Sequence, residues 1–284
     1  SAAPELVQGG GESLAGRIAF HELPGLDLTE AGTQRLDALW QRGGLPRSLL
    51  AASDAASLRW RREYIRAYLE RDIPALGFRR APATLRRFWN MVAHYSGQLW
   101  NGAELARAFG VSEPTVRHYL DILAASCMVR ILPPWHENVG KRQVKAPKIY
   151  LADSGLLHAL LDIGPDRESL LGHPRVGASW EGFALHQIVR ALAADWRDCH
   201  HWRLHTGAEL DLLVMRGKRR IGFRRIGAAA LGHVGAAAAA FAAEFGDAEL
   251  HEIDGADLAG EIFGDGDDDR GLAVLGRDQR DHAR

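Results

Sequence analysis

Long apolar runs are missing from this sequence. No stretch approaches the roughly 20 residues that a transmembrane helix needs, so no membrane partner is expected. Cysteine is nearly missing too: Cys127 and Cys199 are the only two. That excludes a disulfide scaffold and fits a reducing compartment, so the expected location is cytoplasmic. The opening, Ser1 to Gly11, is polar and Gly-rich, so no secretory leader is expected there. A start Met is absent, which reads as a fragment or a trimmed chain. Lysine is scarce: four of the 35 basic residues, all between Lys141 and Lys218. An arginine-heavy body suits bidentate phosphate contact, although a GC-rich coding sequence produces the same bias. No Walker A loop is present, because Gly140-Lys141 lacks the glycine five residues earlier that a phosphate loop requires. Nucleophile elbows and zinc-ligand spacings are absent as well.

What is present suffices for two domains. The chain has 284 residues, of which 46% are hydrophobic. Its net charge of −1 hides an asymmetry. Residues 227–284 hold 13 acidic residues against 4 Arg, whereas residues 1–226 hold 31 basic against 23 acidic. The tail also carries five alanines in a row, Ala236 to Ala240, and an Asp-rich run, Asp265 to Asp269. A helix is expected over 228–245 and weak order beyond Leu258.

Residues 1–26 read as loop and strand, and 29–97 as a helical region. Apolar positions recur at helical spacing in Leu36, Leu39, Trp40 and in Tyr64, Ile65, Tyr68, Leu69. Pro74, Gly77 and Pro82 mark a turn, and a helix over 83–95 places Leu85, Phe88, Trp89 and Val92 inward.

The best local signal follows. Asn101 with Glu104 three positions on reads as a capping box opening a short helix, with Leu105, Ala106 and Phe109 inward. Gly110-Val111-Ser112 makes a tight turn. Ser112 is expected to cap a second helix, in whose first turn Pro114 is tolerated. Val116, Tyr119, Leu120 and Leu123 form one buried stripe, leaving Thr115, Arg117, His118 and Asp121 outside. Two short helices about such a turn match a helix-turn-helix. Strands over 128–132 and 148–151 then flank a polar loop, the layout of a wing, so 98–165 reads as a winged helix ending in a helix over 153–161. Thr115, Arg117 and His118 would face base edges, and Lys141, Arg142, Lys145 and Lys148 would meet phosphates. Glu113 and Asp121 on the outer face argue against tight groove insertion, and winged helices also serve as docking or spacer modules.

A second unit is expected over 174–226. Its helix, 177–194, would bury Trp180, Ala184, Ile188 and Ala191. Strands over 199–204, 208–214 and 220–225 form an antiparallel meander. Glu209, Asp211 and Leu213 share one strand face. Glu181 on the helix and Asp211 on the strand could converge on Mg²⁺ or remain surface carboxylates. His200, His201 and His205 read as structural, since strand parity puts the first two on opposite faces.

The stretches "SLAGRIAFHELPG", "LWQRGGLPRSLL", "SLRWRREYIRAYLERDIPALG", "HENVGKRQVKAPKIYLADSGLLHALL", "VGASWEGFALHQIV" and "GAELDLLV" resemble a family of prokaryotic AAA-type ATPases that carry a C-terminal domain of unknown function 4143. The resemblance covers residues 1 to about 223. It implies a mixed fold: an α-helical region with a winged helix-turn-helix, then an α/β restriction-endonuclease-like domain of the PD-(D/E)XK kind. It makes 1–28 a remnant of the ATPase core, and ATP and Mg²⁺ the cofactors of the parent family, none being expected in this chain. Arg17 matches a nucleotide-sensing position. Glu181 and Asp211 match the acidic catalytic positions of the nuclease motif. The Gly-Phe-Glu-x-Lys strand that should follow reads Gly222-Phe223-Arg224-Arg225-Ile226, so Arg224 and Ile226 replace the Glu and the Lys. A permanent guanidinium in a ligand shell repels a metal. The motif ends where the atypical tail begins, which suggests a frameshift near residue 223.

The expectation is a fragment that binds DNA or another nucleic acid, without ATPase or nuclease activity. A metal-dependent nuclease and a protein-docking module are the alternatives. The resemblance also implies the ATPase core and further copies of the chain as partners.

Overall fold

The computed structural model describes residues 21–75, 78, 80–135, 144–203, 209–217, 219–223 and 272–275. Two compact units are present: Ser1–Ile131 with Ile149–Phe183, and Leu132–Lys148 with Ala184–Arg284. Both helices and small sheets occur, in keeping with the mixed fold that the residue spacing and the resemblance led one to expect.

The first unit is mainly helical. It runs through α1 (Leu28–Ala31), α2 (Leu36–Arg42), α3 (Pro46–Leu49), α4 (Asp54–Ala67), α5 (Ile73–Ala75) and α6 (Pro82–Tyr95). There follow β1 (Gln98–Leu99), α7 (Gly102–Phe109), α8 (Glu113–Ala125), β2 (Val129–Leu132), β3 (Lys148–Leu151), α9 (Ser154–Leu160) and α10 (Arg167–Leu171). Helix α11 (Val176–Ala191) crosses from this unit into the next. Side chains fix several of these starts. Asp27 and Glu30 form a reciprocal capping box on α1, and Asp153 Oδ1 accepts from Leu156 N at the head of α9 (2.8 Å). A π-turn, Tyr68–Asp72, joins α4 to α5 just before Pro74.

The core of this unit is aromatic. Trp40, Trp89, Phe88, Leu85, Ile65 and Leu120 are almost fully buried. Phe88, Phe109 and Tyr119 meet edge to face in pairs at 5.5–6.2 Å, tying α6, α7 and α8 together. Such pairs add about 0.5–1.5 kcal/mol each beyond their buried area. Strands β1, β3 and β2 form a sheet in that order.

Two buried polar clusters lie beneath the helices. Arg61 donates to Gly155 O (2.7 Å) and Gln41 O (3.3 Å), and burial lowers its pKa to about 10. Gly43, at φ +80°, lies so near Asp153 that a Cβ would come within 2.2 Å of Oδ1, so no larger residue fits. In the other cluster Trp40 Nε1 donates to Ser179 Oγ (3.0 Å), and Ser179 Oγ meets His158 Nε2 (2.6 Å). His158 Nδ1 meets Gln41 O (2.9 Å). The Gln41 carbonyl can only accept, so Nδ1 is the donor to it; in the neutral ring Nε2 is then the acceptor, and the Ser179 hydroxyl, which accepts from the indole, donates to it.

The second unit is a sheet ordered β4 (Cys199–Arg203), β5 (Glu209–Arg216), β6 (Arg219–Phe223), β7 (Leu272–Leu275), each neighbour antiparallel. The expected weak order past Leu258 is corrected at one point: Leu272–Leu275 pairs with β6, Ile221 opposite Val274. An apolar "LAVL" run beside an open edge supplies the pairing that the edge lacks. The helix expected over 228–245 lies outside the described residues. Helix α11 stops at Ala191, short of the expected 194, because Ala193 turns to φ 47°. Its buried side chains include Trp180, Phe183, Leu185, Ile188 and Val189; of the expected stripe Trp180 and Ile188 are buried, Ala184 is half-buried and Ala191 is exposed. Among the described residues no helix is long and apolar enough to cross a membrane.

Candidate functional site

Helices α7 and α8 form around a turn that glycine makes possible. Asn101 Oδ1 accepts from Glu104 N (3.1 Å), which caps α7. Gly110 closes α7 at φ +75°, ψ 34°, donating its N–H to Ala106 O (2.9 Å). This left-handed residue releases the chain into α8. Ser112 holds the cap position of α8, but its hydroxyl pairs with Thr115 Oγ1 (2.9 Å) and caps no backbone N–H. Val116, Tyr119, Leu120 and Leu123 are buried as the spacing required.

The opposite face of α8 is exposed at Glu113, Pro114, Arg117, His118 and Asp121, with Thr115 half-exposed. Several of these groups already have partners. Arg117 Nε donates to Asp121 Oδ1 (3.1 Å), with both side chains about half exposed. The His118 ring lies 5.8 Å from Phe78. Three further arginines border the helix pair and were not singled out from the sequence. Arg80 sits over Tyr119 (6.0 Å), Arg87 sits over Phe109 (5.0 Å), and Arg107 is exposed on α7. An Arg immediately before α6 and one on its outer side were the available signals.

The expected wing cations part company. Lys141 and Arg142 lie outside the described residues. Lys145 is exposed, as a phosphate contact must be. Lys148 is buried instead, its side chain 6% exposed, and its Nζ donates to Asp211 Oδ1 at 3.2 Å. The ends of the connecting segment are bonded into the second unit. Trp135 N donates to His201 O (2.7 Å), His201 N to Pro133 O (2.9 Å), and Val144 N to Arg203 O (3.0 Å). Residues 133–135 thus run parallel to β4. His201 Nε2 also meets Ala146 O (3.0 Å), Arg220 sits over the Trp135 ring, and His200 meets Trp135 edge-on. Both histidines of β4 thus have neighbours within the unit, and the register of β4 against β5 shifts between His200 and Trp202. His205 lies outside the described residues.

The two motif acids fall in different units. Glu181 Oε1 accepts from Tyr150 Oη (2.5 Å) within the first unit, with Arg175 near enough to have its own charge favoured by it. Asp211, 8% exposed at the side chain, faces Lys148, and Glu209 on the same strand faces Arg203 (3.4 Å). Arg17, Arg224 and Ile226 lie outside the described residues. The resemblance implies Mg²⁺ beside Asp211, and these residues do not fit it. At a separation of about 5 Å and an effective dielectric of about 20, an ammonium and a divalent ion repel by roughly 7 kcal/mol. Among the described residues, no three His, Cys, Asp or Glu side chains are grouped to hold a metal ion.

Residues 33–167 match a domain of unknown function (DUF8612). That span runs from the turn before α2 to the start of α10 and contains both helices of the turn motif. The uncharacterized protein Rv2008c of Mycobacterium tuberculosis is 50% identical over 223 residues, which are 78% of this chain and 50% of the relative. The uncharacterized protein Mb2031c of Mycobacterium bovis matches with the same figures. The chain spans about half the length of the curated relatives it matches. No solved structure matches it.

Proposed function

We propose that this chain is a nucleic-acid-binding fragment of an AAA-type ATPase with a C-terminal domain of unknown function 4143. It acts through a winged helix made of α6, α7, α8 and the β1-β3-β2 sheet, and it has neither ATPase nor nuclease activity of its own. The observation that carries the reading is the outer face of α8. Thr115, Arg117 and His118 lie there, on a helix reached through the Gly110 turn, and Arg80, Arg87 and Arg107 border the α7–α8 pair. A helix of this kind, free along one face, fits a major groove, and guanidinium groups around it suit phosphates. ATP and its Mg²⁺ belong to the parent family's core, and this chain carries no Walker A pattern. The nuclease alternative loses support because Lys148 and Arg203 already neutralise the acids of β5.

A fluorescence-anisotropy titration of labelled duplex DNA at several salt concentrations tests the reading. The slope of log K against log salt should be about −0.9 for each phosphate contacted. Replacing Arg107 and Arg117 together should flatten the slope by about two such contacts. A slope near zero in the unmodified protein removes nucleic-acid binding. It would leave the docking reading, which one observation favours: Arg117 and Thr115 already have partners within the chain.

A further inference from the structure

We propose that Lys148 is the built-in counterion of Asp211, placed where a divalent cation would have to sit, so that the acidic strand of the second unit is a metal-independent structural centre. The inference deepens the reading of a catalytically silent second unit, and it stands or falls apart from nucleic-acid binding.

Four observations converge on it. Asp211 lies in β5, an eight-residue strand between β4 and β6, and its side chain is 8% exposed. Lys148 arrives from the segment that is bonded along β4, so its ammonium is delivered by backbone pairing rather than by a loose side chain. Both side chains are more than nine-tenths buried. Glu209, two residues along and on the same face, is matched by its cross-strand neighbour Arg203. Each of these two acids therefore faces a protein cation, and a divalent ion would need several oxygen ligands beyond them. Losing one member of such a pair strands the other in a buried site, whereas replacing both by apolar groups of similar size is tolerated.

The test uses the full chain and Mn²⁺ as the probe, followed by its paramagnetic signal. Mn²⁺ affinity should agree within about twofold between the unmodified protein and Asp211→Asn. A loss of about tenfold on that substitution, which corresponds to about 1.4 kcal/mol, would overturn the proposal by showing that Asp211 ligates metal. The second arm is thermal melting of Lys148→Met, Asp211→Leu and the double variant. Each single change should lower Tm, and the double should regain most of the loss. Additive losses would show that the two groups do not compensate each other and would also overturn it. Should Lys148→Met alone fail to fold, a folded double variant carries the same support. A double variant that also fails counts against the proposal.

Discussion

Removing Asp121 should strengthen nucleic-acid binding while scarcely changing stability, the opposite of what removing an ion-pair partner usually does. Asp121 holds Arg117 at 3.1 Å on the exposed face of α8, and the two side chains are 52% and 53% exposed. An exposed i,i+4 pair of this kind contributes about 0.3–0.5 kcal/mol, so Asp121→Ala should lower stability by no more than that. Its effect on a phosphate ligand is larger. A carboxylate about 7 Å from a phosphate repels it by roughly 0.6 kcal/mol in water. Releasing Arg117 from its partner adds another 0.3–0.5 kcal/mol. Together these give about 1 kcal/mol, or about fivefold tighter binding. The salt slope should change by less than the 0.9 of one contact, because Arg117 already counts among the phosphate contacts and is only released from its partner. Anisotropy at low and moderate salt reads both quantities, and Arg117→Ala provides the matching loss. In the double variant the Arg117→Ala loss should exceed that in the unmodified protein's background, since the arginine contributes more once freed. Unchanged or weaker binding on Asp121→Ala would refute the assignment of this face to nucleic acid.

Other outcomes follow from the Gly110 turn and from the buried Ser179 and His158. Gly110→Ala should cost about 1–2 kcal/mol, read as a lowered urea midpoint. Nothing lies within 4 Å of the added Cβ, so the cost is the left-handed φ of +75° alone, and Gly110→Asn should cost less. Ser179→Ala should cost about 2–4 kcal/mol, because Trp40 Nε1 and His158 Nε2 both lose their buried partner. His158 makes stability depend on acid: burial lowers its pKa from 6.5 to about 3, so it stays neutral in the fold while the unfolded chain takes up a proton. Its contribution is intact above pH 6.5 and falls by about 1.4 kcal/mol per pH unit down to about 3. Denaturant melts of the protein and of His158→Asn across that window should diverge with this slope, and parallel curves would refute the assignment.

The helices around the turn were legible because every level of their code agrees. Asn101, Gly110 and Pro114 each have one local role, and Val116 to Leu123 repeat at helical spacing against one core. Where a segment has two possible neighbours, periodicity fixes less. Helix α11 is apolar on most of its circumference, so the pattern did not choose among faces, and Ala191 was placed inside when it is exposed. The arginines over Phe109 and Tyr119 show in the sequence only as cations before α6 and on its outer side. A guanidinium on a ring is a tertiary event, visible only once α6 lies beside α7 and α8.

The least legible element was the segment between β2 and β3, and the reason lies in an edge. Taken locally, strand, polar loop and strand describe a wing, and nothing in residues 132–148 says otherwise. Strand β4 stands at the end of its sheet, however, with β5 on one side only. Its other side carries N–H and C=O groups that need partners. Pro133 to Trp135 and Val144 supply them, so the ends of the supposed wing are committed to β4 before the side chains between them are considered. That commitment moves Lys148 from the phosphate-contact role its charge suggested to the interior beside Asp211. One missing neighbour on one strand thus accounts for two departures from the sequence reading: a basic wing reduced to the exposed Lys145 among its described cations, and an acidic strand whose charge is met from within.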